Sequence, residues 1–155
     1  MLCNRVMRLK WVTVEAVLYL LTLVSASTTI SFAQPLKLTI IAEDVRNSRG
    51  MIGVLIFNSA RGWPEDVEAA FRAKATPAQP GPTTVIFEDL PPGTYAAVVL
   101  HDENENKKLD RNFLRVPREG WGMSNNPKAL GTAPSFDRAR FVLDRDTVLR
   151  IKLNY

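Results

Sequence analysis

A period of two recurs along this chain. In residues 36–43, Leu36, Leu38, Ile40 and Ala42 fall on one side, while Lys37, Thr39 and Glu43 fall on the other, with Ile41 the exception. Successive side chains of a strand point to opposite faces, so this alternation predicts a half-buried strand. Residues 51–57 form a second, more fully apolar run. Asn47-Ser48-Arg49-Gly50 between them has turn chemistry, and the pair predicts a β-hairpin. Residues 83–88 and 94–101 predict a third and fourth strand about the turn Asp89-Leu90-Pro91-Pro92-Gly93. The fourth is apolar on both faces, which predicts a central position in a sheet. Two strands close the chain, 136–143 and 147–155. In the last, Leu149, Ile151, Leu153 and Tyr155 alternate with Arg150, Lys152 and Asn154.

The segments between are less regular. Pro64, Glu65 and Asp66 suit a helix start, because proline has no N–H to lose there and acids favour the N-terminal dipole. They predict a short helix over 65–71. Residues 76–82 hold Pro77, Pro80, Gly81 and Pro82 and predict a connector. Residues 102–134 are rich in Asn, Gly and Pro. Loops of this length are uncommon without a function, and Phe113, Leu114, Trp121 and Met123 argue that this one is ordered. Six short strands with frequent turns predict an all-β fold, a small antiparallel β-sandwich of immunoglobulin or transthyretin type. A small closed barrel shares the same strand pattern.

The first 33 of the 155 residues read differently. Arg5, Arg8 and Lys10 precede an apolar stretch from Trp11 to Val24 broken only by Glu15. A polar run then ends in Ser31-Phe32-Ala33. This order predicts a signal peptide cut after Ala33. The mature domain is then 34–155, exported to the periplasm or beyond the cell. An uncleaved anchor is the alternative, because 16–33 carries no charge. The single cysteine, Cys3, lies inside this segment. The mature domain therefore has no disulfide and no thiol nucleophile.

Charge narrows the partners. The formal net charge of the whole chain is +4, and removing Arg5, Arg8, Lys10 and Glu15 leaves 17 basic against 15 acidic residues. These are interspersed, so composition points to no nucleic acid and, after cleavage, to no membrane partner.

The run from Phe87 to Tyr95 looks like the strand-turn-strand of prealbumin-like sandwiches. It is followed by His101-Asp102-Glu103-Asn104-Glu105-Asn106-Lys107-Lys108-Leu109-Asp110, then Asn112-Phe113, Pro117, Glu119-Gly120 and Gly122-Met123-Ser124-Asn125-Asn126. This order resembles the bacterial family called domain of unknown function 2141. The resemblance implies an exported single-domain β protein and brings no established activity. It also implies a tighter, Asn-Gly-Asn-Gly-like loop where this chain has Glu105 and Lys107.

Asp102, Asn104, Asn106 and Asp110 fall at positions 1, 3, 5 and 9 of a calcium-type loop, with the Lys108 carbonyl at position 7. A hard cation wants several oxygens, and alternate residues of a curled loop can all turn inward. Against calcium stand Lys107 where a sharp turn prefers glycine and Phe113 where a bidentate Glu would close the site. The other reading is a turn whose Asp and Asn side chains cap their own backbone. A calcium site here would be a nonstandard one, completed by Glu119 or another distant oxygen.

His101 is the only histidine. Ser124, in Gly122-Met123-Ser124-Asn125-Asn126, lacks the final glycine of a nucleophile elbow, and no catalytic residue is assigned. Asp102, Glu103, Asp110 and Glu119 are the acids from which a carboxylate hydrolase would draw its pair. His101, Trp121, Ser124, Asn125 and Asn126 are the candidate ligand contacts. Trp63, Trp121, Phe113 and Tyr95 suit either a stacking platform or a mini-core beneath the loop. The expected function is a non-catalytic exported binding module for an envelope or extracellular ligand, with calcium as its candidate cofactor. A hydrolase of envelope material and a structural envelope protein are the alternatives.

Overall fold

The computed structural model describes residues 34–114, 116–129 and 132–155. The expected signal peptide, 1–33, lies outside them. The described residues form one compact unit. Among the described residues no helix is long and apolar enough to cross a membrane.

The fold is an all-β sandwich. Its strands are β1 (Leu36–Val45), β2 (Met51–Phe57), β3 (Arg72–Pro77), β4 (Gly81–Leu90), β5 (Gly93–Asp102), β6 (Gly120–Met123), β7 (Phe141–Leu143) and β8 (Thr147–Lys152). One sheet has the order β4-β1-β8, and the other β3-β2-β5-β6, with β7 pairing the start of β5. The main core lies between them. Leu38, Ile40 and Ala42 of β1 meet Ile52, Val54 and Ile56 of β2 and Ala97 and Val99 of β5. The period of two in β1 is thus the signature of one face turned to the opposite sheet.

The expected β1–β2 hairpin does not form. β1 pairs β4 antiparallel and β8 in parallel, while β2 pairs β3 and β5. Both strands bury an apolar face, and they bury those faces against each other by crossing between sheets rather than lying side by side. Gly50 permits the crossing. Its φ is +65, and a Cβ there would overlap the Asp102 carbonyl. The turn at 91–92 likewise carries the chain from one sheet to the other. Within it the Tyr95 hydroxyl donates to the Pro91 carbonyl at 2.8 Å.

Three further expectations are corrected. The 65–71 helix shrinks to a 3-10 turn, Val67–Ala69, capped by the Asp66 side chain on the Glu68 N–H. Residues 76–77 of the expected connector belong to β3, and 81–82 belong to β4. The first half of the expected 136–143 strand is a short helix, α1 (Phe136–Ala139), because Ala139 and Phe136 pack onto a second core outside the sheet. β5 lies inside its sheet, between β2 and β6, as its two-sided apolarity predicts.

Candidate functional site

Between β5 and β6 the chain makes a long excursion, and its first turn contains the acidic loop. Asp102 is buried at the end of β5. Its carboxylate accepts the N–H of Asn106 at 3.1 Å and of Lys107 at 2.7 Å. Asn104 Oδ1 accepts the Asn106 N–H, and Asn106 Oδ1 accepts the Lys108 N–H. The amide nitrogens of Asn104 and Asn106 donate to the two oxygens of Asp110, at 2.8 and 3.0 Å. Glu105 and Lys107 take left-handed φ values of 61 and 62 where glycine would be relaxed. The residues of the calcium-type pattern are therefore brought together, and the side-chain oxygens of Asp102, Asn104, Asn106 and Asp110 are already engaged with the loop's own donors. Among the described residues no three His, Cys, Asp or Glu side chains gather as a metal group.

Glu119 anchors this loop from its far end. It is buried, and its two oxygens accept the N–H of Glu103 at 2.9 Å and of Asp110 at 3.0 Å. Glu103 is held differently. Arg46 and Arg49 both pair with its carboxylate. Burial pushes the Glu103 pKa up, but the hydrogen bonds and charges of these arginines, with help from Asn47, outweigh it and hold the group below its ordinary range. Arg46 also stacks over the Tyr155 ring, 4.3 Å from its centre.

The candidate ligand contacts behave as staples. His101 is fully buried, with Nε2 2.9 Å from the Arg49 carbonyl and Nδ1 2.8 Å from the Tyr155 hydroxyl. A carbonyl can only accept, so Nε2 carries a proton and Nδ1 is left to take the tyrosine proton. Ser124 is fully buried too. Its Oγ donates to the Ala139 carbonyl at 2.6 Å and accepts the Ala97 N–H at 2.9 Å. Asn125 donates to the Arg140 carbonyl. Asn126 spans the open edge of β8, accepting the Lys152 N–H at 2.9 Å and donating to the Arg150 carbonyl at 3.1 Å. An amide side chain thus stands where a neighbouring strand would pair, which blocks edge-to-edge association there.

The aromatics separate. Trp63 lies edge-on to Phe57 and Phe136, at 5.3 and 5.9 Å, and its indole donates to the Pro134 carbonyl. It forms a mini-core with Ala96, Met123, Trp121 and Ala139. Tyr95 belongs to the main core, and Phe113 stands apart, 92% exposed.

The strand β6 turns the excursion into a site. Gly120 and Gly122 face inward, where a Cβ would strike the Tyr155 ring and the Lys152 carbonyl. Trp121 and Met123 consequently face outward, beside Leu100 and Val98 of β5 in the ladder. With Met51 and Leu55 of β2 they make a continuous apolar floor on the outer face of the five-stranded sheet. Parts of 105–114, Val116, Pro117, Ala129, Thr132 and Ala133 wall it, bounding a groove of about 1250 Å³. Of the sequence candidates, Trp121, Asp102 and Lys108 line this groove, and Asn104 and Asp110 line a smaller polar hollow with Arg46 and Arg118. Leu55 and Leu100, missed from sequence, read there as ordinary core positions.

The fold and site define a small β-sandwich with a self-bonded acidic loop and an apolar groove on the outside of one sheet. The chain belongs to DUF2141, a family of uncharacterised proteins conserved in bacteria, whose model matches residues 40–150. No curated protein and no solved structure matches it.

Proposed function

We propose that this chain is an exported, non-catalytic binding domain whose ligand is an elongated apolar molecule held in the groove over β2, β5 and β6. The observation that carries this reading is the floor itself. Met51, Leu55, Val98, Leu100 and Trp121 are only half-buried, although they lie on a sheet face that sandwiches ordinarily leave polar. Ligand sites are concave and mainly apolar with a few polar groups at the margin, and drug-sized ones occupy about 300–1,000 Å³. This groove, at about 1250 Å³, is larger. The fate of the reactive side chains supports binding over catalysis. His101, Ser124, Glu103 and Glu119 are each fixed by partners, so these candidate groups supply neither a free base beside a nucleophile nor a free carboxylate pair.

The test is fluorescence titration of residues 34–155 with a dansyl-labelled undecanoic acid, read by energy transfer from tryptophan. Saturable binding is expected. Leu100→Glu places a charge on the groove floor and should weaken binding by about tenfold or more, since burying an unpaired charge is costly, while the circular dichroism spectrum is retained. Absent binding, or equal binding by a folded Leu100→Glu variant, overturns the reading.

A further inference from the structure

Gly53 sits in the middle of β2, a strand with a neighbour on each side, and it lines the floor of the groove. A glycine inside a strand weakens it, because it gives up more backbone freedom than any other residue and packs no side chain. The glycines described above each have a structural reason. Gly50 takes a left-handed φ, and a Cβ at Gly120 or Gly122 would strike the Tyr155 ring or the Lys152 carbonyl. Gly53 has neither reason. Its φ is not in the left-handed region. Beyond its chain neighbours, the nearest atom to a Cβ built there is the Leu100 carbonyl oxygen, at 4.0 Å. The fold itself has room for a side chain at this position.

The neighbours give the opening a shape. On the same face of β2 the next side chains are Met51 and Leu55, each about 7 Å away at a strand rise of about 3.4 Å per residue. Across the ladder Gly53 faces Ala75 of β3 on one side and Leu100 of β5 on the other, and Trp121 of β6 lies beyond Leu100. Met51, Leu55 and Leu100 are half-buried on the groove floor. Between them the floor drops to the peptide backbone, in a slot one residue wide. The slot opens toward β3, an edge strand on which Ala75 is small and exposed. A slot of one side chain's width takes one alkyl chain. A fused-ring molecule is broader than a side chain and would rest on Met51 and Leu55, leaving the slot unfilled.

We propose that Gly53 is the specificity-determining residue of the groove, and that the ligand carries an unbranched alkyl chain laid on the β2 backbone between Met51 and Leu55. This rests on the reading of the groove as a binding site and narrows the ligand within it. Once φ and packing are excluded, close approach of another molecule to the backbone is the use of glycine that remains. A chain in the slot meets Leu100 and then Trp121 at its inner end, and each methylene removed from water there adds to affinity. Any side chain at position 53 would occupy the space that the ligand needs while leaving the sheet intact.

The test is the dansyl-undecanoic acid titration of residues 34–155, repeated with Gly53→Val and Gly53→Ala, with thermal unfolding of each variant. Valine suits a strand and its Cβ has room, so a melting temperature equal to or above the parent's is expected. Its binding should weaken about tenfold, the worth of roughly two buried methylene groups. Gly53→Ala should show the same pattern in smaller measure. Dodecanoic acid should displace the probe from the parent, and deoxycholic acid, a fused-ring carboxylate, should not. Three results overturn the proposal: either variant folded and binding as the parent does, both variants melting below the parent, or displacement as ready by deoxycholic as by dodecanoic acid. In each of these the groove reading survives if Leu100→Glu still weakens the probe. Absence of probe binding by the parent overturns the groove reading and this proposal together.

Discussion

The hydroxyl of Tyr155 lies 2.8 Å from Nδ1 of His101, and it also accepts the backbone N–H of Arg46 at 3.1 Å. One phenol therefore joins the end of β5, the residue after β1 and the segment after β8. The Tyr155 ring also fills the space that glycine leaves at position 120, so the same side chain sets how closely β6 approaches.

Tyr155→Phe isolates that hydroxyl. The ring and its packing remain, but the buried Nδ1 of His101 and the Arg46 N–H each lose a partner. Leaving a buried polar group unsatisfied costs about 1–3 kcal/mol. A loss of that size is expected in urea unfolding, with the denaturant slope unchanged. Stability equal to the parent would show that water replaces the phenol and that the linkage does not hold the three segments.

Stability should depend on pH at both ends of the range. Burial raises the Glu103 pKa, and Arg46 and Arg49 more than reverse that, leaving it below its ordinary 4.5. The unfolded chain then binds the proton more readily, so this stabilisation is fully present above the unfolded value and is lost as pH falls through the lower folded one. Glu103→Gln should flatten the acid limb of the melting-temperature profile. At the alkaline end, burial pushes the Tyr155 phenol above its ordinary 10.0, only partly opposed by Arg46. Stability is present below pH 10 and falls as pH climbs through the raised folded value, a limb that Tyr155→Phe should reduce to the part contributed by Tyr95, whose phenol burial also raises. An acid limb equally steep without Glu103 would assign the effect to other carboxylates.

Much of this architecture is legible in the residues, because burial on one face of a strand writes a period of two directly into the sequence. β1 is read in place for that reason, and β2 and β5 are read from continuous apolar runs instead. Strand pairing is not written there. Leu38 and Ile52 carry the same apolar signal whether their strands are neighbours in one sheet or face each other across the core. β3 is an exposed edge, with Ala73 and Ala75 in place of large apolar residues, so it has no alternation to detect. β6 is concealed by its glycines. Gly120-Trp121-Gly122-Met123 resembles a loop until Tyr155 and Ile151 are seen against the glycine positions. The acidic loop is legible as a cluster, but its alternatives differ only in where the side-chain oxygens point, and spacing along the chain does not encode that.

The hydrogen bonds of that loop decide what calcium should do. Asp102 satisfies two backbone donors, and Asp110 satisfies two amide nitrogens. A cation would have to displace these bonds beside Lys107 and Lys108. Thermal unfolding in millimolar calcium and in chelator should therefore give the same melting temperature. A ligand bound only by the folded state raises that temperature by linkage, so a reversible rise in calcium would show that these oxygens rearrange around an ion. Asp102→Ala separates the two cases. It strands the Lys107 N–H and leaves the Asn106 N–H only its bond to Asn104 Oδ1, and the expected loss is about 1–3 kcal/mol, equal with and without calcium. Asp102→Asn keeps one acceptor oxygen and should fall between the two. If the alanine variant loses stability only in calcium, the loop is a cation site and the self-bonded turn is its resting form.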